Sequence, residues 1–324
     1  MNYTRDSIEK MANESGFIRE VYEKVVRLVD VLEFINSNNN LVDKLSLKGG
    51  TAINLLYFNL PRLSVDIDLD YIGSIDKKEM LSDREIINKI IISFMVNNNY
   101  ILSKKSKRVV SLDSLVFNYN SCFGGRNVIK IEINYMNRCH VLECTKRRIV
   151  SPFMKNDFDI LTIHKDELYA SKLNALLDRS KVRDLFDIYY MIKTNQIMNL
   201  KRFKYLYVFY NMIGGRGKPL DFELEKIKNM HYYEFKRQLK PQLAKMDDFD
   251  AEATKDIVIK WIKDNIVEDE NIKEFIDNFN NGIFTPEILF EDMPYNKAII
   301  DHPMAKWRIM GINKNNNKNK KPLI

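Results

Sequence analysis

Leu47-Lys48-Gly49-Gly50-Thr51, followed about fifteen residues later by Asp66-Ile67-Asp68-Leu69, decides how this chain is read. A glycine turn that opens a helix leaves backbone N–H groups and a positive helix end facing outward, where anionic oxygens bind. On a strand, alternation sends Asp66 and Asp68 to one face and Val65, Ile67 and Leu69 to the other. Two like charges ~4 Å apart cost about 4 kcal/mol at an effective dielectric of ~20. A divalent cation removes that cost, and Mg²⁺ takes such oxygens together with substrate phosphates. The pattern points to a nucleoside triphosphate handled on metal ions. A lone D-x-D reads equally well as a solvated strand edge, and the glycine pair tips the balance. A calcium loop fails, because Tyr71 stands at its glycine position and Lys77 at its closing glutamate.

Working outward, 324 residues suffice for a sizeable core and two lobes. A composition of 45% hydrophobic and 29% charged residues is that of an ordinary soluble protein. Cys122, Cys139 and Cys144 lack metal-ligand spacing and predict reduced thiols. Residues 1–20 carry charges throughout, so no secretory signal is expected, and no apolar run is long enough to span a membrane. A cytoplasmic location follows as an expectation. The net charge of +7 tilts the choice of partner toward a polyanion.

The periodicity predicts one helix over 4–36, a strand over 44–48, a helix from Thr51 to Phe58 and a strand from Ser64 to Ile72. A helix over 82–97, capped by Ser82 or Asp83, precedes strands at 100–103, 114–119, 128–134 and 141–144. Around Pro152 the character changes, and helices are expected at 166–178, 182–193, 199–212, 221–240, 250–265 and 271–280. The expected class is α+β. A mixed sheet flanked by helices fills residues 1–160, a helical lobe fills 161–312, and a basic, disordered Lys/Asn tail covers 313–324.

Further polar constellations follow. On the 128–134 strand the isoleucines share one face, and Lys130, Glu132 and Asn134 share the other. If this strand neighbours the 65–69 strand, Glu132 lies near the aspartates, completing a metal site or taking a proton from an attacking hydroxyl. Otherwise it is an ordinary surface glutamate. Lys172 and Arg179 lie nearly in line on one helix, and Asp184 stands at the start of the next, suited to orienting one of them. Equally, these are solvated charges, with Arg183–Asp187 a plain i, i+4 pair. Gly214-Gly215-Arg216-Gly217-Lys218-Pro219 lacks the hydroxyl of a phosphate loop and reads as a basic turn. Lys201, Arg202, Lys204, Lys226, Lys228, Lys236, Arg237 and Lys240 interleave with Phe203, Tyr205, Tyr207 and Tyr210. That mix suits a nucleic-acid groove, although the aromatics fit a helical core better.

Lys48-Gly49-Gly50-Thr51-Ala52, Arg62-Leu63-Ser64-Val65-Asp66-Ile67-Asp68-Leu69 and the block from Glu167 to Asp187 resemble the AbiEii/AbiGii family of nucleotidyltransferase toxins. Phe284–Phe290 and His302–Trp307 resemble that family's C-terminal end, so the likeness spans all but the last dozen residues. It implies a minimal nucleotidyltransferase core with a helical C-terminal lobe. The reaction implied is transfer of a nucleoside monophosphate from an NTP, with release of pyrophosphate, to the 3′ end of tRNA. It further implies a cognate antitoxin and a setting in phage defence by abortive infection. Gly50, Thr51, Asp66, Asp68, Lys172 and Asp184 match the family's catalytic positions, and Glu132 corresponds less securely. On this reading Lys48, Gly49, Gly50, Thr51 and Arg179 meet the nucleotide, and Asp66 and Asp68 bind Mg²⁺ or Mn²⁺. Two rivals stay open: an acceptor that is a protein or small molecule, and a regulatory module that binds nucleotide without turnover.

Overall fold

Ile67–Tyr71 forms the strand around which a mixed sheet is organised. The computed structural model describes residues 4–149, 157–244 and 249–319. The expected transition at Pro152 and the tail from residue 320 lie outside the described residues. In chain order the first elements are helices α1 (Arg5–Ser15) and α2 (Arg19–Ser37), strand β1 (Leu45–Lys48), helix α3 (Gly49–Leu56) and strand β2 (Ile67–Tyr71). Helix α4 (Lys77–Asn97) and strands β3 (Ile101–Leu102), β4 (Lys107–Val109), β5 (Leu112–Asn120), β6 (Arg126–Asn134), β7 (Thr145–Ile149) and β8 (Phe158–Thr162) follow.

The strand order is β3-β5-β6-β2-β1-β8-β7, with β4 also on β5. β2 runs antiparallel to β1 and parallel to β6, placing Asp68 opposite Lys48 on one side and Glu132 on the other. Alternation explains the core: Ile67, Leu69, Ile129, Ile131 and Ile133 are buried, against helices α2, α3 and α4 around the sheet. The expected α+β class and mixed, helix-flanked sheet are found.

Several boundaries differ. The helix expected over 4–36 breaks at Gly16, whose φ of 74° lets its N–H cap the carbonyls of Ala12 and Asn13. Asp76, not Ser82 or Asp83, caps α4, its Oδ1 accepting from Lys78 N at 2.8 Å and Glu79 N at 3.0 Å. Residues 141–144 form no strand; β7 and β8 supply that edge instead.

Two compact units form. One comprises Met1–Arg138, Cys144–Ile163 and His231–Asp250; the other Cys139–Glu143, His164–Met230 and Ala251–Ile324. The expected lobes were drawn with a single boundary near residue 160, whereas these units include the passage of 139–143 into the helical unit and the return of 231–250 to the sheet unit. That return is fixed by polar pairing: Leu63 N donates to Gln242 O at 2.8 Å, and buried Arg62 Nη1 donates to Gln242 Oε1 at 3.1 Å.

In the helical unit lie α5 (Lys165–Arg179), α6 (Val182–Lys193), α7 (Leu200–Gly214) and the short α8 (Leu224–Lys228). The helix expected over 221–240 instead stops after α8. Tyr232–Glu234 (α9), a π-turn at Phe235–Leu239 and a 3₁₀ turn at Lys240–Gln242 follow, in the sheet unit. The helical unit resumes with α10 (Ala251–Asn265), α11 (Glu270–Asn280), α12 (Glu287–Phe290) and α13 (Pro303–Asn319). Phe209 on α7 centres its core, its ring 5.5 Å from Phe290 and 6.4 Å from Phe275. α13 runs through residues 313–319, where disorder was expected; asparagine and lysine carry only modest helix penalties, and Lys is a good helix former. Among the described residues no helix is long and apolar enough to cross a membrane.

Candidate active site

The ten expected site residues divide between the two units. Lys48, Gly49, Gly50, Thr51, Asp66, Asp68 and Glu132 belong to the sheet unit; Lys172, Arg179 and Asp184 belong to the helical unit.

In the sheet unit, β1 delivers the chain directly into α3, and Gly49 makes the junction at a φ of +72°. A side chain there is excluded twice, by that left-handed backbone and by Asp68. A Cβ built on Gly49 would stand 2.3 Å from Asp68 Oδ2. The Asp68 carboxylate thus lies against the start of α3, whose N-terminus carries no side-chain cap and no acid in its first turn. Thr51 is fully buried, and its hydroxyl donates to the Asp66 carbonyl at 2.5 Å. The expected phosphate-facing hydroxyl instead ties the first turn of α3 to the residue preceding β2. Gly50 is buried one position earlier, its carbonyl accepting from Asn54 Nδ2 at 2.9 Å.

Asp66 and Asp68 are part-exposed while Ile67 and Leu69 between them are buried, so the alternation read from sequence is realised. Among the described residues the Asp66 carboxylate makes no hydrogen bond or ion pair. Asp113 in the same unit shows what a structural acid looks like. Arg84 grips it in a fork, with Nη2–Oδ1 at 2.5 Å and Nε–Oδ2 at 3.0 Å, and Asn88 adds a third donor at 2.6 Å. Burial alone would raise the Asp113 pKa; those donors outweigh it and hold the carboxyl below its usual range. Asp66 has no such arginine.

Lys48 does not point to an open phosphate site. Its Nζ lies 2.5 Å from Oδ1 of Asp70, which is fully buried and also receives Asn137 Nδ2 at 3.0 Å. Asp70 was legible as the third acid of the D-x-D-x-D run, on the same face as Asp68. Glu132 sits beside Asp68 in register, as the neighbouring-strand condition required. Its carboxylate is 2.8 Å from Lys130 Nζ, and among the described residues no three acids, histidines or cysteines gather as a metal cage. Glu132 as a third metal ligand is therefore not supported. Asp66 and Asp68 alone still suit Mg²⁺, which takes one or two carboxylates and draws its other ligands from phosphates and water.

In the helical unit, Lys172 is nearly buried and lies between two acids, 3.0 Å from Asp184 Oδ1 and 3.1 Å from Asp187 Oδ2. Arg179 completes the cluster with Nε–Oδ2 at 2.7 Å and Nη2–Oδ1 at 3.0 Å to Asp184. Asp184 therefore orients both cations rather than one. Burial opposes its charge, but Lys172 and then Arg179 outweigh that and press its pKa well below the carboxylate range. Asp187 pairs with Lys172, and among the described residues the i, i+4 link to Arg183 is not formed. Its spacing of three from Asp184 on one helix face was the signal. Arg179 keeps 59% of its side chain exposed, leaving a positioned positive charge at the surface.

The nucleic-acid groove expected on the 201–240 segment does not form as drawn. Phe203, Tyr205 and Tyr207 are buried core. Lys204 and Arg202 are held by Asp269 and Asp166. Lys236, Arg237 and Lys240 belong to the other unit. The 214–219 turn is pinned, with Arg216 on Glu223 and Tyr207 Oη donating to Pro219 O at 2.7 Å.

Residues 31–294 match the family described as nucleotidyl transferase AbiEii toxin, type IV toxin–antitoxin system. This chain belongs to the AbiEii nucleotidyltransferase toxin family. The chain is accordingly a nucleotidyltransferase, and the match ends before His302–Trp307. MenT4, a nucleotidyltransferase toxin from Mycobacterium tuberculosis H37Rv, has a similar fold. Its TM-score is 0.57 at 16% identity, covering 85% of this chain and 94% of that one. No individual curated protein matches the sequence significantly.

Proposed function

We propose that this nucleotidyltransferase moves a nucleoside monophosphate from an NTP to the 3′ end of a tRNA, and that a cognate antitoxin restrains it in the cytoplasm, in a phage-defence setting. The acceptor hydroxyl oxygen bonds to the α-phosphorus, the bond from that phosphorus to the β-bridging oxygen breaks, and pyrophosphate leaves with the electron pair. Glu132, beside Asp68, is the base proposed for the hydroxyl proton. Asp66 and Asp68 are the residues that would hold Mg²⁺ or Mn²⁺. When bound, the ion supplies neutralisation of phosphate charge. Gly49 and Gly50 offer backbone to the triphosphate, Thr51 holds Asp66 in place, and Lys48 keeps Asp70 neutralised beneath. Lys172 and Arg179, positioned by Asp184, are the cations proposed for the charge developing on the pyrophosphate.

One observation carries the reading: the Asp68 carboxylate lies against Gly49, and the Asp66 backbone carbonyl accepts from Thr51, so one carboxylate and the residue that bears the other meet a glycine-opened helix. The net charge of +7 favours a nucleic-acid acceptor over a small molecule. The test is incubation with each labelled NTP and separated tRNA, protein and metabolite fractions, beside Asp66→Ala and Lys172→Ala. Label in tRNA that both variants abolish is expected. Full transfer and growth inhibition by a folded Asp66→Ala chain would reject the assignment.

A further inference from the structure

The segment that returns to the sheet unit carries two neighbouring tyrosines about two-thirds exposed to solvent. Tyr232 is 68% exposed and Tyr233 66%. Rings of that size are normally covered, and adjacent exposed ones mark a surface that meets a partner. His231, Lys236, Arg237 and Lys240 around them are exposed too. Among the described residues none of the three cations has an ion-pair partner, and Glu234 is the single acid in the run. Arg237 already lies over the Tyr233 ring, 5.9 Å from its centroid, so cation and aromatic face form one platform.

The platform is fixed from below. Phe235 and Leu239, on the opposite side of the same turns, are buried, and the Phe235 ring sits 5.8 Å from Phe249. The end of the segment is bonded to Arg62 and Leu63, with Leu63 N to Gln242 O at 2.8 Å. Those residues lie three and four positions before Asp66. A mobile loop would pay ordering entropy on binding; this one is already held.

We infer that His231–Lys240 is the docking surface for the acceptor RNA, with unpaired bases stacking on Tyr232 and Tyr233 and phosphates on Lys236, Arg237 and Lys240. A purely acidic protein partner would use the cations but has no need of two exposed aromatic faces; a single-stranded nucleic acid uses both. The inference deepens the tRNA reading and rests on it for the identity of the acceptor.

Binding of labelled tRNA is compared with binding of inorganic polyphosphate, a polyanion without bases, for the full chain, Tyr232→Ala/Tyr233→Ala, Tyr232→Phe/Tyr233→Phe and Lys236→Gln/Arg237→Gln. The alanine pair is expected to weaken tRNA affinity about tenfold or more and leave polyphosphate unchanged, while the phenylalanine pair retains affinity. The glutamine pair is expected to weaken both ligands and to lower the slope of log affinity against log salt by about 1.4, at ~0.7 per single-strand phosphate contact. Wild-type affinity for tRNA in the alanine pair, or no tRNA binding by the full chain, overturns the inference. So does loss of antitoxin neutralisation in the alanine pair with tRNA binding intact. NMP transfer, read separately, keeps the two proposals apart. Tyrosine-dependent tRNA binding with label entering only protein or metabolites would sink the tRNA-acceptor reading alone. Label entering tRNA with unchanged KM in the alanine pair would sink the docking surface alone.

Discussion

Gly49→Ala probes the junction on which the site depends, and its consequences separate into two parts. The first is conformational. A left-handed φ of +72° costs an alanine roughly 1–2 kcal/mol. The second is positional. The new Cβ would stand 2.3 Å from Asp68 Oδ2, where ordinary contact begins near 3.4 Å, so the carboxylate must retreat by about 1 Å. A misplacement of about 1 Å in a reacting assembly costs about 10²-fold in rate. Gly125→Ala provides the matched control. Its φ is +77° with nothing within 4 Å of the built Cβ, so it incurs the conformational cost alone. Denaturant unfolding should give both variants a similar modest loss of stability. Transfer of label from NTP should fall about a hundredfold in Gly49→Ala only. Equal transfer by the two variants would refute the argument that Asp68 must lie against the glycine turn.

Thr51→Val removes the hydroxyl bonded to the Asp66 carbonyl at 2.5 Å. A stability loss of about 1 kcal/mol, measured by denaturation, and weaker Mg²⁺-dependent NTP binding are expected. Asp184→Asn leaves Lys172 with Asp187 as its acid and deprives Arg179 of its fork. Breaking so buried a cluster should cost about 3 kcal/mol at neutral pH, the low end for buried pairs because Asp187 remains. Because the Asp184 pKa is depressed in the fold, its contribution is present above the unfolded value near ~3.9 and is lost as pH falls below it. The wild type should therefore lose more stability than Asp184→Asn between about pH 5 and pH 2, as read by urea midpoints; parallel curves would reject the assignment. Chelation with EDTA should abolish transfer, and added Mg²⁺ or Mn²⁺ should restore it; full turnover in EDTA would remove Asp66 and Asp68 from the metal role.

The residues of the sheet site were legible because their signals are local. A glycine pair after an apolar strand, then Asp66 and Asp68 in alternation with Ile67 and Leu69, states both the turn and the face within a few residues. Helix periodicity likewise placed α5, α6 and α7 to within two residues at either end. Alternation also aligned Glu132 with a strand face, although it could not say that β6 lies parallel beside β2. Failures came where a single residue overrode a long pattern, as Gly16 did by adopting a left-handed cap, and where the helix expected over 221–240 gave way after Lys228 to short turns that join the other unit.

What the sequence determined by itself was the kind of chemistry: which side chains carry oxygen ligands and which backbone can approach phosphate. Tertiary structure decided what those side chains do to one another. Lys48 turns to a buried Asp70, and the Thr51 hydroxyl holds a strand rather than a ligand. Residues 231–242 cross back to pack beside Arg62, 180 positions away in the chain. Local propensity is written over a handful of neighbours, whereas pairings of buried polar groups are chosen by the whole fold, because each buried donor and acceptor must find its partner wherever the chain brings one.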